Sequence, residues 1–369
     1  MADLTKIQFV HEDAEVIIAE CKQYYEALLN RSIAPADIEM LLINGLAYRE
    51  VLLRSGLNET ARQNLVAFSR GAALEYLGEL VGVSRLPASG ALCTIQFNLV
   101  EEHTGVIIPE GLRVQSMDGK VIFQTAESKV VPIGTSTVEL VAACSTPGKI
   151  GNGYAINAIS IILDPQAYIS TAGNVDITTG GADEETDDEL RERIKLAPAS
   201  FSVAGPIDAY RFFAKSASPS IVDVAVTSPV PGQVNIYPLL EGGEMPGEEI
   251  LDAVQTICNA DKIRPLTDTV VTAAPTVIDY SISVQLTLLD TAVEQKVIND
   301  VTAALNAYKD SRLNRIGLDV IRNKIASICM LTGVYNVNVV SPASDIEADP
   351  EQYTNCTGIT VAVIGTHDE

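Results

Sequence analysis

The stretch GGADEETDDELRERI, residues 180–194, puts six acids into the seven positions from Asp183 to Glu189 and then turns basic. Thr186 followed three residues later by Glu189 is the spacing of a capping box, in which the hydroxyl accepts from a first-turn amide and the carboxylate reaches back to the N-cap amide. The other acids then stand at the positive end of a helix dipole, and Arg191, Arg193 and Lys195 fall toward its negative end. Each such interaction is worth about 0.3–1 kcal/mol, so the composition fixes where a helix begins and does little more. As a metal site the stretch fails on spacing, because the D-x-D-x-D-G loop of a calcium site with its later Glu is absent. The reading is structural: Thr186 and Glu189 cap a helix, and no metal is expected.

Outward from this helix the periodicity changes twice. Upstream, the short β-branched runs ALCTIQFNLV, TGVIIPEGLRV, KVIFQTA, STVELVAA and AISIIL are punctuated by Gly and Pro, which predicts a β domain between Leu86 and about residue 180. Downstream, helix signals at 187–197 and 206–217, strands at IVDVAVT and QVNIYPLL, a helix at 247–260 and a strand at DTVVTAA form one small block. A second block follows: YSISVQLTLL, helices at 292–309 and 317–331, then VYNVNVVS and GITVAVI. Each block reads as one layer of helices over an antiparallel sheet.

The first 85 residues have helical spacing instead. Ala14, Ile17, Ile18, Cys21, Tyr24, Tyr25, Leu28 and Leu29 recur at three and four, with Glu15, Glu20, Lys22 and Glu26 off the stripe. Pro35 suits the first turn of a second helix presenting Ile38, Leu41, Leu42, Leu46, Leu52 and Leu53. A third is expected from near Asn58 through Leu65 and Phe68 toward Leu74, Leu77 and Leu80. The fold class is therefore multidomain α+β: an N-terminal helical region (1–85), a β-rich domain (86–180), and two small α+β sandwich domains, the middle one at 181–275 and the C-terminal one at 276–369.

At 369 residues the chain exceeds what one core serves, and 47% hydrophobic with 20% charged residues is the composition of an ordinary folded protein. A net charge of −23 with no basic run argues against a nucleic-acid surface, which would carry its own Lys/Arg excess. No apolar run approaches the roughly 18 residues of a membrane span, and MADLTKIQFVHEDAEV has neither a basic n-region nor an apolar h-region. A soluble, unsecreted chain without membrane insertion is expected. Cys21, Cys93, Cys144, Cys258, Cys329 and Cys356 show no C-x-x-C and lie in or beside apolar stretches, so they read as reduced core thiols.

Catalytic signatures fail in turn. His11-Glu12 begins like a zinc-protease helix, but position 15 is Glu where the metal needs a second His. GKIGNG at 148–153 lacks the order of a phosphate loop and the spacing of a dinucleotide fingerprint, and reads as a tight turn between strands. There is no G-x-S-x-G, and His11, His103 and His367 give a triad or a three-His metal site no local support. His103, in the loop EEHTG, reads as solvated. A Trp-free chain with 5% aromatics offers few stacking platforms for sugars. No catalytic residue and no cofactor is expected.

Several stretches together resemble one family, the baseplate J-like proteins of contractile phage tails and related injection systems. They are GAALEYLGELVGVSRLPA at 71–88, IPEGLRV with the following GKVIFQTA, PGKIGN, AGNVDITTGGADEETDDELRERI, and AGPIDAYRFFAKSASPSIVDVAV at 204–226. They occur in the family's order. The resemblance implies a non-enzymatic wedge protein of the inner baseplate ring, with two copies per wedge and six wedges around a central spike and hub. Implied partners are copies of itself, smaller wedge proteins, a sheath-initiator-like component and the spike/hub complex. It implies assembly in the bacterial cytoplasm into a phage tail, tailocin or injection particle. It also implies that N-terminal helices of two copies join a smaller protein's helix in a bundle. The stripe Ala14, Ile17, Ile18, Cys21, Tyr25 and Leu28 is carried over to that bundle; equally it fits packing on its own domain. The alternative reading is a receptor- or glycan-binding tail module.

Overall fold

The computed structural model describes residues 7–100, 103–202, 205–260, 262–265 and 267–368. Glu101 and Glu102 of the EEHTG loop, and the first six residues of the leading segment, lie outside that range. The chain divides into two units, Met1–Ser84 and Arg85–Glu369.

The first unit is helical. Helix α1 spans Ala14–Leu29; Asp13 caps its start by accepting from the Glu15 amide at 2.8 Å, and Asn30 ends it in the left-handed conformation (φ 49°). Helix α2, Ile38–Arg62, follows a turn that contains Pro35, so the proline precedes the helix by three residues instead of opening it. In that turn the Asp37 carboxylate accepts from the Ala34 amide and from Arg31, which also reaches Glu39. Helix α2 does not stop near Asn58, where the sequence suggested a new start. Asn58 is fully buried; it accepts from the Phe9 and Val10 amides and donates to the Val10 carbonyl. Its side chain is committed to holding the leading segment, which leaves it unable to cap a helix. The third helix, α3, is only Gly71–Glu79. Among the described residues, Ile17, Ile33, Ile43, Ala47, Leu74 and Val83 are the unit's buried apolar positions.

The second unit opens with eight strands: β1 Leu92–Leu99, β2 Val106–Ile108, β3 Arg113–Ser116, β4 Ile122–Thr125, β5 Lys129–Val131, β6 Thr137–Cys144, β7 Ile159–Ile162 and β8 Ile169–Asn174. Six form one sheet in the order β7-β3-β4-β6-β1-β8, and β2 pairs β5 in a separate ribbon. Strict alternation sends Cys93, Ile95, Phe97 and Leu99 of β1 and Val138, Leu140, Ala142 and Cys144 of β6 to one interior. The sheet curls until its two end strands, β7 and β8, approach, and fully buried Asn174 joins them. Its Oδ1 accepts from the Ile159 amide (2.9 Å), and its Nδ2 donates to the carbonyls of Ala155 (2.9 Å) and Asp176 (2.6 Å). A near-closed barrel results. Because a buried backbone group stripped of its partner costs about 1–3 kcal/mol, Asn174→Ala is expected to destabilise the unit by at least about 2 kcal/mol in urea unfolding.

His103 is not solvated. It is buried, its Nε2–H donates to the Thr135 carbonyl (2.8 Å) and its Nδ1 accepts from the Gly105 amide (3.2 Å). A neutral imidazole offers one donor and one acceptor, and here each serves a loop backbone group that strand pairing leaves over.

The middle domain consists of α4 Asp187–Leu196, α5 Ile207–Lys215, β9 Ile221–Thr227, β10 Gln233–Leu240, α6 Glu248–Cys258 and β11 Thr269–Thr272. The C-terminal domain consists of β12 Thr276–Leu289, α7 Glu294–Asp310, α8 Arg322–Cys329, β13 Val334–Ser341 and β14 Gln352–His367. Each has a three-stranded sheet, ordered β11-β10-β9 and β13-β12-β14. Neither is purely antiparallel, contrary to expectation: β10/β11 and β12/β14 are parallel pairs. Helix α6 connects β10 to β11, whereas α7, α8 and the antiparallel strand β13 intervene between β12 and β14; each connection returns the chain to the end from which it started. Helix α8 is shorter than the 317–331 expected, because Val320 is bridged to Ile346 (2.8 and 3.0 Å) and is extended there.

Candidate functional site

The acidic stretch sits where the barrel meets the middle domain. At the start of α4 the Glu189 carboxylate accepts from the Thr186 amide (2.8 Å), and Thr186 Oγ1 accepts from the Glu189 amide at 3.4 Å. Thr186→Ala is accordingly expected to cost about 1 kcal/mol, measured by urea unfolding, the usual loss of a cap. Asp188, itself exposed, pairs with the largely covered Arg191.

Capping does not account for Glu185 and Arg193, which are both buried. The two are ion-paired, and Arg193 Nη2 lies 2.7 Å from Glu185 Oε2. The same carboxylate accepts from the Leu86 amide (2.9 Å), and the Glu185 carbonyl accepts from Arg85, which also holds Asp187. Arg193 extends to Ser216, at the end of α5. One buried pair therefore ties the barrel's first residues to two helices of the middle domain. Sequence reasoning missed it because an acid ahead of the helix and a base eight positions on look like solvated charges; only the Leu86 amide and Ser216, distant in sequence, set them apart.

The second turn motif meets the same stretch. Lys149–Gly151 forms a single 3₁₀ turn, Asn152 exchanges two 2.8 Å hydrogen bonds with the Gly181 backbone, and Thr178 donates to the Gly151 carbonyl. A Cβ on Gly181 would lie 2.6 Å from the Gly148 carbonyl oxygen, so that position admits only glycine. Lys149 reaches Glu241 (2.7 Å), and the Glu241 carboxylate holds its ammonium above the usual range. Further along, Asp223 accepts from the Ile316 amide (3.0 Å) and Asn314 from the Gly242 amide (2.9 Å), which fastens the C-terminal domain to the middle one.

Two surface clefts flank these seams. One, of about 310 Å³, is lined by Lys149, Gly180, Gly181 and Glu241; the other, of about 230 Å³, by Glu189, Arg193, Lys215 and Pro219. Burial pushes the Lys215 ammonium below its usual range. Burial also pushes the Cys258 thiol up to about 12 and Cys329 to about 11, with Cys93 displaced the same way, so none of these is a thiolate at neutral pH. Among the described residues, no group of three His, Cys, Asp or Glu side chains could hold a metal, and no helix is long and apolar enough to cross a membrane.

In the first unit the six stripe residues separate. Ile17 is buried, Ile18, Cys21 and Tyr25 are half-buried, and Ala14 and Leu28 are exposed. The larger apolar surface lies on α2. Its Ile43 and Ala47 are buried, yet Ile38, Leu41, Leu42, Leu46, Leu52, Leu53 and Leu57 are each at least 50% exposed. A groove of about 790 Å³ there is lined by Cys21, Leu46, Tyr48, Leu52 and Leu53. All but one of these exposed residues were visible in the sequence as one helix's apolar positions. That the helix carries two apolar faces was not, because only the packing of Ile43 and Ala47 distinguishes them.

Within the second unit, side chains bonded to backbone join the barrel to the sheets that follow it; the helical unit carries an exposed apolar face on α2. Along the chain, residues 37–91 match the Baseplate J-like N-terminal domain, 94–181 the barrel domain, 202–275 the central domain and 280–362 the C-terminal domain. The chain belongs to the Baseplate J-like family. It is 31% identical over 186 residues to baseplate protein J of Escherichia phage P2, an alignment covering 50% of this chain and 61% of that relative's length. A chain in the cryo-EM structure of the six-fold symmetrised anti-feeding prophage baseplate aligns over 92% of this chain and 89% of that one, at 14% identity and a TM-score of 0.39.

Proposed function

We propose that this protein is a non-enzymatic wedge protein of the inner ring that surrounds the spike and hub of a contractile tail or injection particle. It acts through contacts: with copies of itself, two in each of six wedges, with smaller wedge proteins, with a sheath-initiator-like component and with the spike/hub complex. It needs no cofactor, binds no nucleic acid and inserts into no membrane. It is assembled in the bacterial cytoplasm and carried in the finished baseplate.

The observation that carries this reading is the exposed face of α2. Seven large aliphatic side chains on one helix exceed what a soluble monomer normally leaves in water, and such a face is buried by partner helices in a bundle. This reading assigns the bundle contact to α2 in place of the Ala14–Leu28 stripe, whose Ile17 is buried in the unit's own core. Labelling the subunit on purified particles and imaging them in negative stain tests the proposal. Label around the spike is the expected result; label at fibre tips would replace the scaffold with a receptor-binding module.

A further inference from the structure

The cleft of about 230 Å³ where α4, α5 and β9 meet holds a lysine that the seams do not use. Lys215 is the last residue of α5 and half-buried, and among the described residues it forms no hydrogen bond and no ion pair. Neighbouring cations of this acidic chain are matched: Lys149 with Glu241 (2.7 Å), Lys195 with Glu192 (2.8 Å) and Arg193 with Glu185. Lys296, on α7, stands exposed in water instead. Lys215 combines cover with isolation.

The surroundings bear on what that amine can do. One wall of the cleft is apolar, made by Leu86, Pro219, Ile221 and Val222. Burial, the largest influence on Lys215, penalises its ammonium. Asp223 of β9 and Glu192 and Glu189 of α4 favour the charge and Arg211 of α5 opposes it, without returning the group to its usual range. The Glu185–Arg193 pair behind them is neutral as a pair. More of this side chain is therefore free amine at neutral pH than in an ordinary lysine, and the free amine is the nucleophile. The rim selects the reagent: Glu189 and Glu192 both line the cleft, so an anionic molecule meets like charge on its way in.

We propose that Lys215 is a site of acylation by small, uncharged acyl donors of the thioester class. The unprotonated Nζ attacks the thioester carbonyl carbon. A C–N bond forms, the C–S bond breaks, and the sulfur leaves as a thiol with the proton that the nitrogen gives up through water. No oxidant, reductant or further reactant enters. The acyl methyl then rests against Leu86, Pro219, Ile221 and Val222, and a neutral amide stands where a desolvated ammonium stood. The modification breaks no ion pair, because Lys215 makes none among the described residues. The inference does not depend on the proposed scaffold role.

The test is competitive labelling of the folded full chain with the acetyl thioester of N-acetylcysteamine at low conversion, with peptide mass spectrometry giving the initial rate at each lysine. At about pH 7.4, Lys215 is expected to react at least about threefold faster than the exposed Lys195 and Lys296, because its amine is more often unprotonated. Raising the pH to about 10 should shrink that advantage, since the exposed amines then lose their protons too. Unfolding in urea should make the three sites alike. Acetyl phosphate, an anion, should favour Lys215 less than the thioester does. A Lys215 rate at or below that of Lys296, a ratio indifferent to pH, or a preference that survives urea would overturn the proposal. A larger preference with acetyl phosphate would overturn the assignment of donor.

Discussion

Replacing Glu185 with alanine is expected to destabilise the second unit by about 3–5 kcal/mol, the usual consequence of stranding a buried charge. Arg193 would lose the carboxylate that holds it, and the Leu86 amide would lose its acceptor. The comparison with Asp188→Ala matters, because Asp188 is another carboxylate of the same run but its own side chain stands in solvent. That change should stay within about 0.5 kcal/mol. Urea unfolding of the two variants measures the difference directly. If both lose the same small amount, the buried pair is not what joins barrel and middle domain. A Glu185→Leu/Arg193→Leu double variant should recover part of the single variant's loss, since the cost lies mainly in the unpaired charge.

Leu42→Glu, Leu46→Glu and Leu53→Glu together should abolish incorporation into baseplates while leaving the fold intact. Each is more than half exposed, so no core contact is removed. Burying three leucines against partner helices is worth about 5 kcal/mol, and losing it weakens association more than a thousandfold. Electron microscopy of particles from a bacterium producing only the variant gives the readout, with melting of the purified chain as the control. Ile17→Glu would also stop assembly, but by a different route: it places a charge in the first unit's core and should melt that unit. Normal baseplates from the triple variant would remove α2 from the interface.

Local chemistry was the most legible part of this chain. The Thr186/Glu189 spacing, the alternation of β1 and β6, and the change of period near Leu86 can be read from neighbours within a few residues. What the sequence concealed depends on residues far apart. Asn174 and Asn58 are ordinary polar residues until the backbones they hold arrive from 15 and 48 positions away. His103 looked solvated because its loop is polar, yet Thr135 lies 32 residues on. Strand direction was likewise hidden: nothing within β12 or β14 distinguishes a parallel partner from an antiparallel one, and the whole connection between them, β13 included, decides it.

The parallel pairing of β12 with β14 also orders events in time. Its register runs from Thr276 with Gln352 to Leu289 with His367, so β12 meets that neighbour only after α7, α8 and β13 have been synthesised. The β12/β13 ladder closes a shorter loop and is synthesised first, so it can form before β14 is available. Until Gln352–His367 has left the ribosome, β12 can be paired with β13 on one side and bare on the other. Nascent copies on one message would at that moment be most prone to pair with each other through β12, in the place β14 is due to fill.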